Sequence, residues 1–292
     1  MAARHFDIIN LHWCAGHIAP SFFARYADKL VVTLRDEWMF TGGCHYAQSC
    51  VRFEEGCSSC PIVAPGARKM VSQSAELKRR AFAKLQRPII AIGESLARKA
   101  RKSFVMAERE VVAIPNYVPP LTSSGVNPDE NAHDYFLFVA THLDVPHKGA
   151  DLLESIEAPL FMVGAQGGLS QQRFKPGARF LGPVSDRAQL AKLIAGARAL
   201  LVPSRAEAFG KVVLEAFSVG TPVIAHAVDE LALLVESGRS GALVEAPTAA
   251  AFADAVRQFQ GLSDEEYLSF RGCAKERYQE LMDPKSIVEQ YL

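Results

Sequence analysis

Ten apolar runs of strand length recur along this chain, and their alternation with helix-patterned segments limits the fold more than any other feature. The first four lie at 7–13, 29–36, 88–93 and 111–116, with helical spacing at 74–86 and 94–104. Continuous apolar strands alternating with helices belong to parallel sheets covered on both faces, so the predicted class is α/β. Six more strands are expected at 135–141, 159–165, 178–184, 199–205, 222–227 and 241–246. Six strands with crossovers make a complete doubly wound domain, whereas the first 118 residues supply only four. Between the two sets, residues 119–133 carry turn and breaker residues and few apolar ones, which reads as a linker. The expected division is therefore a first domain at 1–118, short by two or three strand–helix units and carrying a Cys-rich insert at 39–66. A complete second domain at 134–292 follows the linker and ends in helices.

Composition narrows the function classes. Lys and Arg number 32, as do Asp and Glu, so the molecule as a whole lacks the positive charge of a nucleic-acid binder. No apolar run reaches the roughly 18 residues of a membrane span, and the first residues lack the apolar stretch of a secretory signal. The expected location is the cytoplasm. One local asymmetry stands out: between Arg68 and Lys102, eleven basic residues face two acidic ones. This is either a solvated helical face or a surface attracted to anionic headgroups, peripheral to the inner face of the membrane.

In an open parallel sheet ligands bind beyond the carboxyl ends of the strands, which directs attention to the loops there. After the strand at 135–141, Lys148-Gly149 opens a helix; a cation beside a helix N-terminus suits a phosphate, and a capped surface turn is the plainer alternative. After the strand at 199–205 comes Glu207-Ala208-Phe209-Gly210, then Glu215 among Val212, Val213, Leu214, Ala216 and Phe217. A helix that apolar should be buried, and a buried carboxylate needs a polar partner. Two neighbouring hydroxyls of a ribose or hexose would serve Glu215, as would an Arg or a backbone amide. Gly210 allows close backbone approach at the helix start.

Taken together these strings resemble the retaining glycosyltransferases of family 4. The matching string runs from Pro203-Ser204 through Glu207-Ala208-Phe209-Gly210 to Glu215-Ala216 and Gly220-Thr221-Pro222-Val223. It continues in Lys148-Gly149, in Ile114-Pro115-Asn116, and in Phe40-Thr41-Gly42-Gly43-Cys44-His45-Tyr46, the last typical of a polysaccharide-assembly subgroup. The resemblance covers nearly the whole chain. It implies a GT-B architecture of two Rossmann-like domains, the first incomplete because the chain starts midway through the family's acceptor domain. It also implies hexosyl transfer with retention from a UDP or GDP sugar to a glycan or lipid-linked acceptor, in bacterial surface-polysaccharide assembly, with no catalytic cofactor. On the same basis Glu207 would meet the donor sugar with the Phe209-Gly210 backbone, Glu215 the ribose, and Lys148 the diphosphate. His12 would be the active-site histidine, and His142 stands where the family has a diphosphate-binding arginine. Asp229-Glu230 replaces a Gly-Gly turn and would set two carboxylates near the phosphates, while Arg35-Asp36 replaces a His-Asp pair. A remnant that binds a nucleotide or partner without catalysis is the alternative, with an oligomer covering the short first domain.

Four cysteines, Cys44, Cys50, Cys57 and Cys60, fall close together and end in a C-x2-C pair. In a reducing compartment the spacing suits a structural zinc site, which would also explain how a stretch poor in regular pattern stays folded. Free thiols, an oxidised pair and a redox role are the other readings.

Overall fold

A computed structural model describes residues 5–121 and 134–291. The chain divides into two compact units, over Met1–Asn116 and over Tyr117–Gln290. Most of the expected linker, residues 122–133, lies outside the described residues.

The first unit holds four parallel strands in the order β1-β2-β3-β4: β1 (Ile9–Leu11), β2 (Leu30–Leu34), β3 (Ile89–Ala91) and β4 (Val111–Ala113). α1 (Pro20–Arg25), α2 (Arg68–Phe82) and α3 (Glu94–Lys102) connect them. β3 is buried along its whole length, as a continuous apolar run inside a parallel sheet should be. Phe23 from α1 meets Phe82 from α2 edge to face, with ring centroids 4.8 Å apart and both side chains buried. Rings in that geometry fix the two helices together beyond the area they bury.

Between β2 and α2 the chain makes only short 3-10 turns, at Trp38–Phe40, Arg52–Glu55 and Pro65–Ala67. Nothing supports the zinc expected here: among the described residues no three His, Cys, Asp or Glu side chains are placed to hold a metal ion. Cys44, Cys50, Cys57 and Cys60 are free thiols, with Cys57 Sγ accepting the Gly42 N–H at 3.3 Å. Two charged side chains hold the segment instead. Lys78 on α2 is 3% exposed, and its ammonium donates to the carbonyls of Trp38 (2.6 Å) and Thr41 (3.0 Å) while lying 3.8 Å from the centre of the Trp38 ring. Glu37, also buried, accepts from the Ala47 N–H and pairs with Lys99 on α3 at 2.6 Å. Buried charges are tolerated when hydrogen bonds surround them in this way. Burial still pushes the Lys78 ammonium down to about 8.

Part of the rest of the basic run is paired at the surface. Arg79 and Arg80 both grip Glu76, and Arg101 grips Glu94. No described helix is long and apolar enough to cross a membrane.

The second unit is a six-stranded parallel sheet in the order β10-β9-β8-β5-β6-β7. Its strands are β5 (Phe136–His142), β6 (Leu160–Ala165), β7 (Ala178–Gly182), β8 (Ala199–Val202), β9 (Val223–His226) and β10 (Gly241–Val244). Counted within the unit this is 3-2-1-4-5-6, the doubly wound order, and the direction of winding reverses between β5 and β8. The helices are α4 (Arg187–Ala195), α5 (Lys211–Ser218), α6 (Leu231–Leu234), α7 (Ala249–Gln260), α8 (Asp264–Leu281) and α9 (Pro284–Glu289). β8 lies at the sheet centre with every residue buried. α8 starts with a capping box, in which the Ser263 side chain accepts from the Glu266 N–H and the Glu266 carboxylate accepts from the Ser263 N–H. Residues 117–121 run along this unit: Tyr278 on α8 donates to the Val118 carbonyl at 2.7 Å, and the Leu121 N–H donates to Ser218 at 3.1 Å.

Burial, reinforced by neighbouring thiols and Glu37, pushes the Cys44 thiol up to about 11 from an ordinary 9.0. At pH 8 the thiolate fraction falls about 100-fold, and the higher basicity of the remaining thiolate recovers about tenfold. Iodoacetamide should therefore modify Cys44 at least ~10-fold more slowly in native protein than in urea, read by peptide mass spectrometry. Equal rates would show that this thiol is not buried.

Candidate functional site in the second unit

At the strand-order reversal the loops after β5 and β8 part, and both loops are polar there. The β5 loop turns through a 3-10 segment, Pro146–Lys148, into Gly149. Gly149 has a φ of +72°, and a Cβ there would stand 2.1 Å from the Pro203 carbonyl oxygen. The turn needs a glycine both for its dihedral and for the close approach of the β8 loop.

Two ion pairs tie these loops. Arg205 grips Asp151 with both guanidinium nitrogens, at 2.8 and 2.6 Å, and its Nη1 and backbone N–H donate to the carbonyls of Pro146 and His147. That guanidinium, through its hydrogen bonds, holds the Asp151 carboxyl below its usual range. Lys148 reaches across to Glu207, Nζ to Oε2 at 2.7 Å. The other Glu207 oxygen accepts the Gly210 N–H at 3.3 Å, at the start of α5. Lys148 and Glu207, predicted separately as site residues, are thus brought together, with Gly210 completing the group.

Sequence reading missed the third support. Asp229, after β9, accepts the Glu207 N–H through Oδ2 at 3.1 Å. Its φ of 49° is unusual for a non-glycine residue and matches the Gly-Gly turn it replaces. Glu230 is buried. Of the two carboxylates expected near the phosphates, half-buried Asp229 fixes the main chain that carries Glu207. Its position after the Pro-Val strand was the available signal, but only the fold shows where the oxygen points.

Glu215 is buried on α5, and its polar partner is Lys211 one turn earlier, at 3.1 Å. The exposed Lys211 side chain brings its charge to the helix surface. The Phe209 side chain is buried and Gly210 is left-handed at φ +76°. A Cβ on Gly210 would come within 2.8 Å of Leu234. His142 ends β5 and is exposed. His147, partly buried beside Lys148, has a lowered pKa, from desolvation first and the lysine second.

His12 belongs to the first unit, at the end of β1. Partial desolvation and the Arg35 guanidinium lower its pKa. Arg35 itself donates to Asn116 at 2.5 Å, bridging the ends of β2 and β4.

Residues 122–260, just under half of the chain, match the model of the family described as Glycosyl transferases group 1. Among curated proteins, a D-inositol 3-phosphate glycosyltransferase of Nocardioides is 46% identical over 83 residues, which cover 28% of this chain and 18% of that protein. A glycogen synthase of Thermus thermophilus is 36% identical over 129 residues, 42% of this chain and 29% of its own. The matches thus span less than a third of the length of these relatives. Among solved structures, a sucrose-phosphate synthase from Thermosynechococcus elongatus superposes with a TM-score of 0.72 at 19% identity, over 98% of this chain and 72% of that one. Anabaena HepE in complex with UDP-glucose superposes with a TM-score of 0.66 at 16% identity, over 99% and 78%. At these identities the likeness establishes the fold, two parallel α/β sheets of GT-B type.

Gly149→Ala tests the stitching of the two loops. A methyl group against the Pro203 carbonyl, at a dihedral disfavoured for alanine, should cost ~2 kcal/mol or more and lower the midpoint of thermal unfolding. An unchanged midpoint would mean that the loops are not held this closely.

Proposed function

We propose that this chain transfers a hexosyl group from a nucleotide sugar of UDP or GDP type to a glycan or lipid-linked acceptor, with retention, in bacterial surface-polysaccharide assembly. The observation that carries the reading is the Lys148–Glu207 pair at the strand-order reversal, held by Asp229 and Gly210 inside the segment that matches the glycosyltransferase family. UDP-glucose bound to the structurally similar Anabaena protein supports the donor class.

The chemistry follows from what each group can offer. Lys148 has three N–H donors, of which Glu207 takes one, so the others are available to phosphate oxygens. A cation fixed there before the reaction stabilises the charge that develops on a leaving diphosphate. Glu207, oriented through Lys148, Gly210 and Asp229, is an acceptor for hydroxyls of the donor sugar as positive charge grows at the anomeric carbon. Glu215 would exchange its surface lysine for the two ribose hydroxyls. The Phe209-Gly210 backbone lies beside the sugar, His142 stands at the diphosphate end, and His12 serves the acceptor side. On this reading the donor binds in the second unit and the acceptor in the first.

Calorimetric titration with UDP and GDP tests binding, and mass spectrometry of products from a donor panel with lipid-linked acceptors tests transfer. If neither nucleotide binds at millimolar concentration, the donor site is misassigned. Glu207→Gln keeps shape but weakens hydrogen bonds that strengthen in the transition state, so turnover should fall by ~100-fold with nucleotide affinity nearly unchanged. Glu215→Ala should cost about 1–3 kcal/mol of nucleotide affinity. A purely structural Glu215 would lower the melting temperature and leave affinity intact.

A further inference from the structure

The first sheet also gathers polar side chains at the carboxyl ends of its strands, where such sheets bind ligands. β1 runs out into Trp13, β2 into Asp36, and the turn after β2 brings His45 against both. Asp36 is buried and fully engaged: Oδ1 accepts the Trp38 N–H at 2.9 Å, and Oδ2 lies 2.7 Å from His45 Nδ1. A carboxylate at that distance makes Nδ1 the donor, so Nδ1 carries a hydrogen and, in the neutral form of the ring, Nε2 is an acceptor. The Trp13 indole N–H, 3.5 Å from the same Nδ1, then finds no lone pair there. Trp13 and His45 meet as rings instead, with centroids 5.9 Å apart and planes tilted by 30°.

Holding the turn in place does not require the imidazole. The backbone of His45 is already anchored, its carbonyl accepting the Glu37 N–H at 3.0 Å. The ring is nevertheless held by a buried carboxylate while 44% of its side chain stays exposed. Trp13 is similarly constrained and open. It lies between His45 and His17, whose ring is 5.9 Å away at 65°, yet it remains 52% exposed. An indole fixed by neighbouring rings with much of its surface in water, beside an oriented hydrogen-bond acceptor, offers an apolar face with a polar edge. A pyranose presents the matching surface, with C–H groups on its faces and hydroxyls on its rim.

We propose that Trp13, His45 and Asp36 form a carbohydrate-binding subsite, in which Trp13 packs against the C–H face of a pyranose and His45 Nε2 accepts a hydrogen bond from one of its hydroxyls. Asp36 is a positioning residue that selects the tautomer. No proton transfer is asked of the pair. The inference rests on the transferase reading only in identifying this sugar as part of the acceptor.

The experiment uses the whole chain without nucleotide. Saturation-transfer NMR is run against methyl glycosides and disaccharides of glucose, galactose, mannose and N-acetylglucosamine at millimolar concentration. The chain has two tryptophans, so a 15N spectrum contains two indole N–H signals, which Trp13→Phe assigns. At least one sugar should receive saturation and shift the Trp13 signal while leaving that of Trp38 in place. Trp13→Ala should weaken its binding at least tenfold, and Trp13→Phe less. His45→Phe keeps the ring contact and removes the acceptor, so it should weaken binding several-fold with folding intact. In Asp36→Asn the 15N shifts of the His45 ring should change from a single Nδ1–H tautomer to a mixture. Binding that survives Trp13→Ala, or that shifts Trp38 instead, overturns the subsite. UDP binding with no sugar bound overturns the subsite and leaves the donor reading standing; sugar at Trp13 without UDP binding does the reverse.

Discussion

Two ion pairs, Arg205 with Asp151 and Lys148 with Glu207, tie the loops that leave β5 and β8, and the arrangement of polar groups at the strand-order reversal depends on that tie. At a strand-order reversal the two connections run to opposite faces of the sheet, so the backbone hydrogen bonds of the sheet do not hold the loops to each other. Side chains must do it. Arg205 also takes up carbonyls of the β5 loop, which leaves Lys148 beside Glu207 and places Gly149 under the β8 loop. A glycine becomes necessary at 149 because charged groups have drawn two backbones into contact there.

The fold was largely legible in the sequence because its signal is local. Each of the ten expected strands is present, nine shortened at one or both ends where loops begin and β5 shifted by one residue, and β8 is fully buried as its unbroken apolar run requires. The candidate site was legible by residue but not by partner. Lys148 and Glu207 could be picked out from their own neighbours in the chain, yet nothing in a string of letters shows that one neutralises the other. Glu215 was expected to need a polar companion and has one four residues earlier, a distance that helical periodicity makes close. Asp229 and the Asp36–His45 pair were harder, since in each the meaning lies in which way a side-chain oxygen turns.

The cysteine segment shows how a spacing argument can overlook a distant partner. Four sulfurs in a short, patternless stretch suggest a metal, because something has to replace the missing secondary structure. Here the replacement is a lysine from α2 that satisfies two carbonyls of the turn, opposite a glutamate that satisfies an amide. Nothing in the segment itself announces an ammonium contributed from nearly forty residues away, so a local reading fills the gap with the ligands it can see.

The pairing of charges in the second unit also determines how an anion would arrive. Lys148, Arg205 and Lys211 each lie against a carboxylate, so these three cations add little net positive field to solution. Long-range steering requires an uncompensated field, and it is such fields that dissolved salt screens. Encounter with a phosphate-bearing molecule at these loops would therefore proceed at the pace of ordinary diffusion and depend only weakly on ionic strength, with selectivity exercised after contact, when the pairs exchange partners.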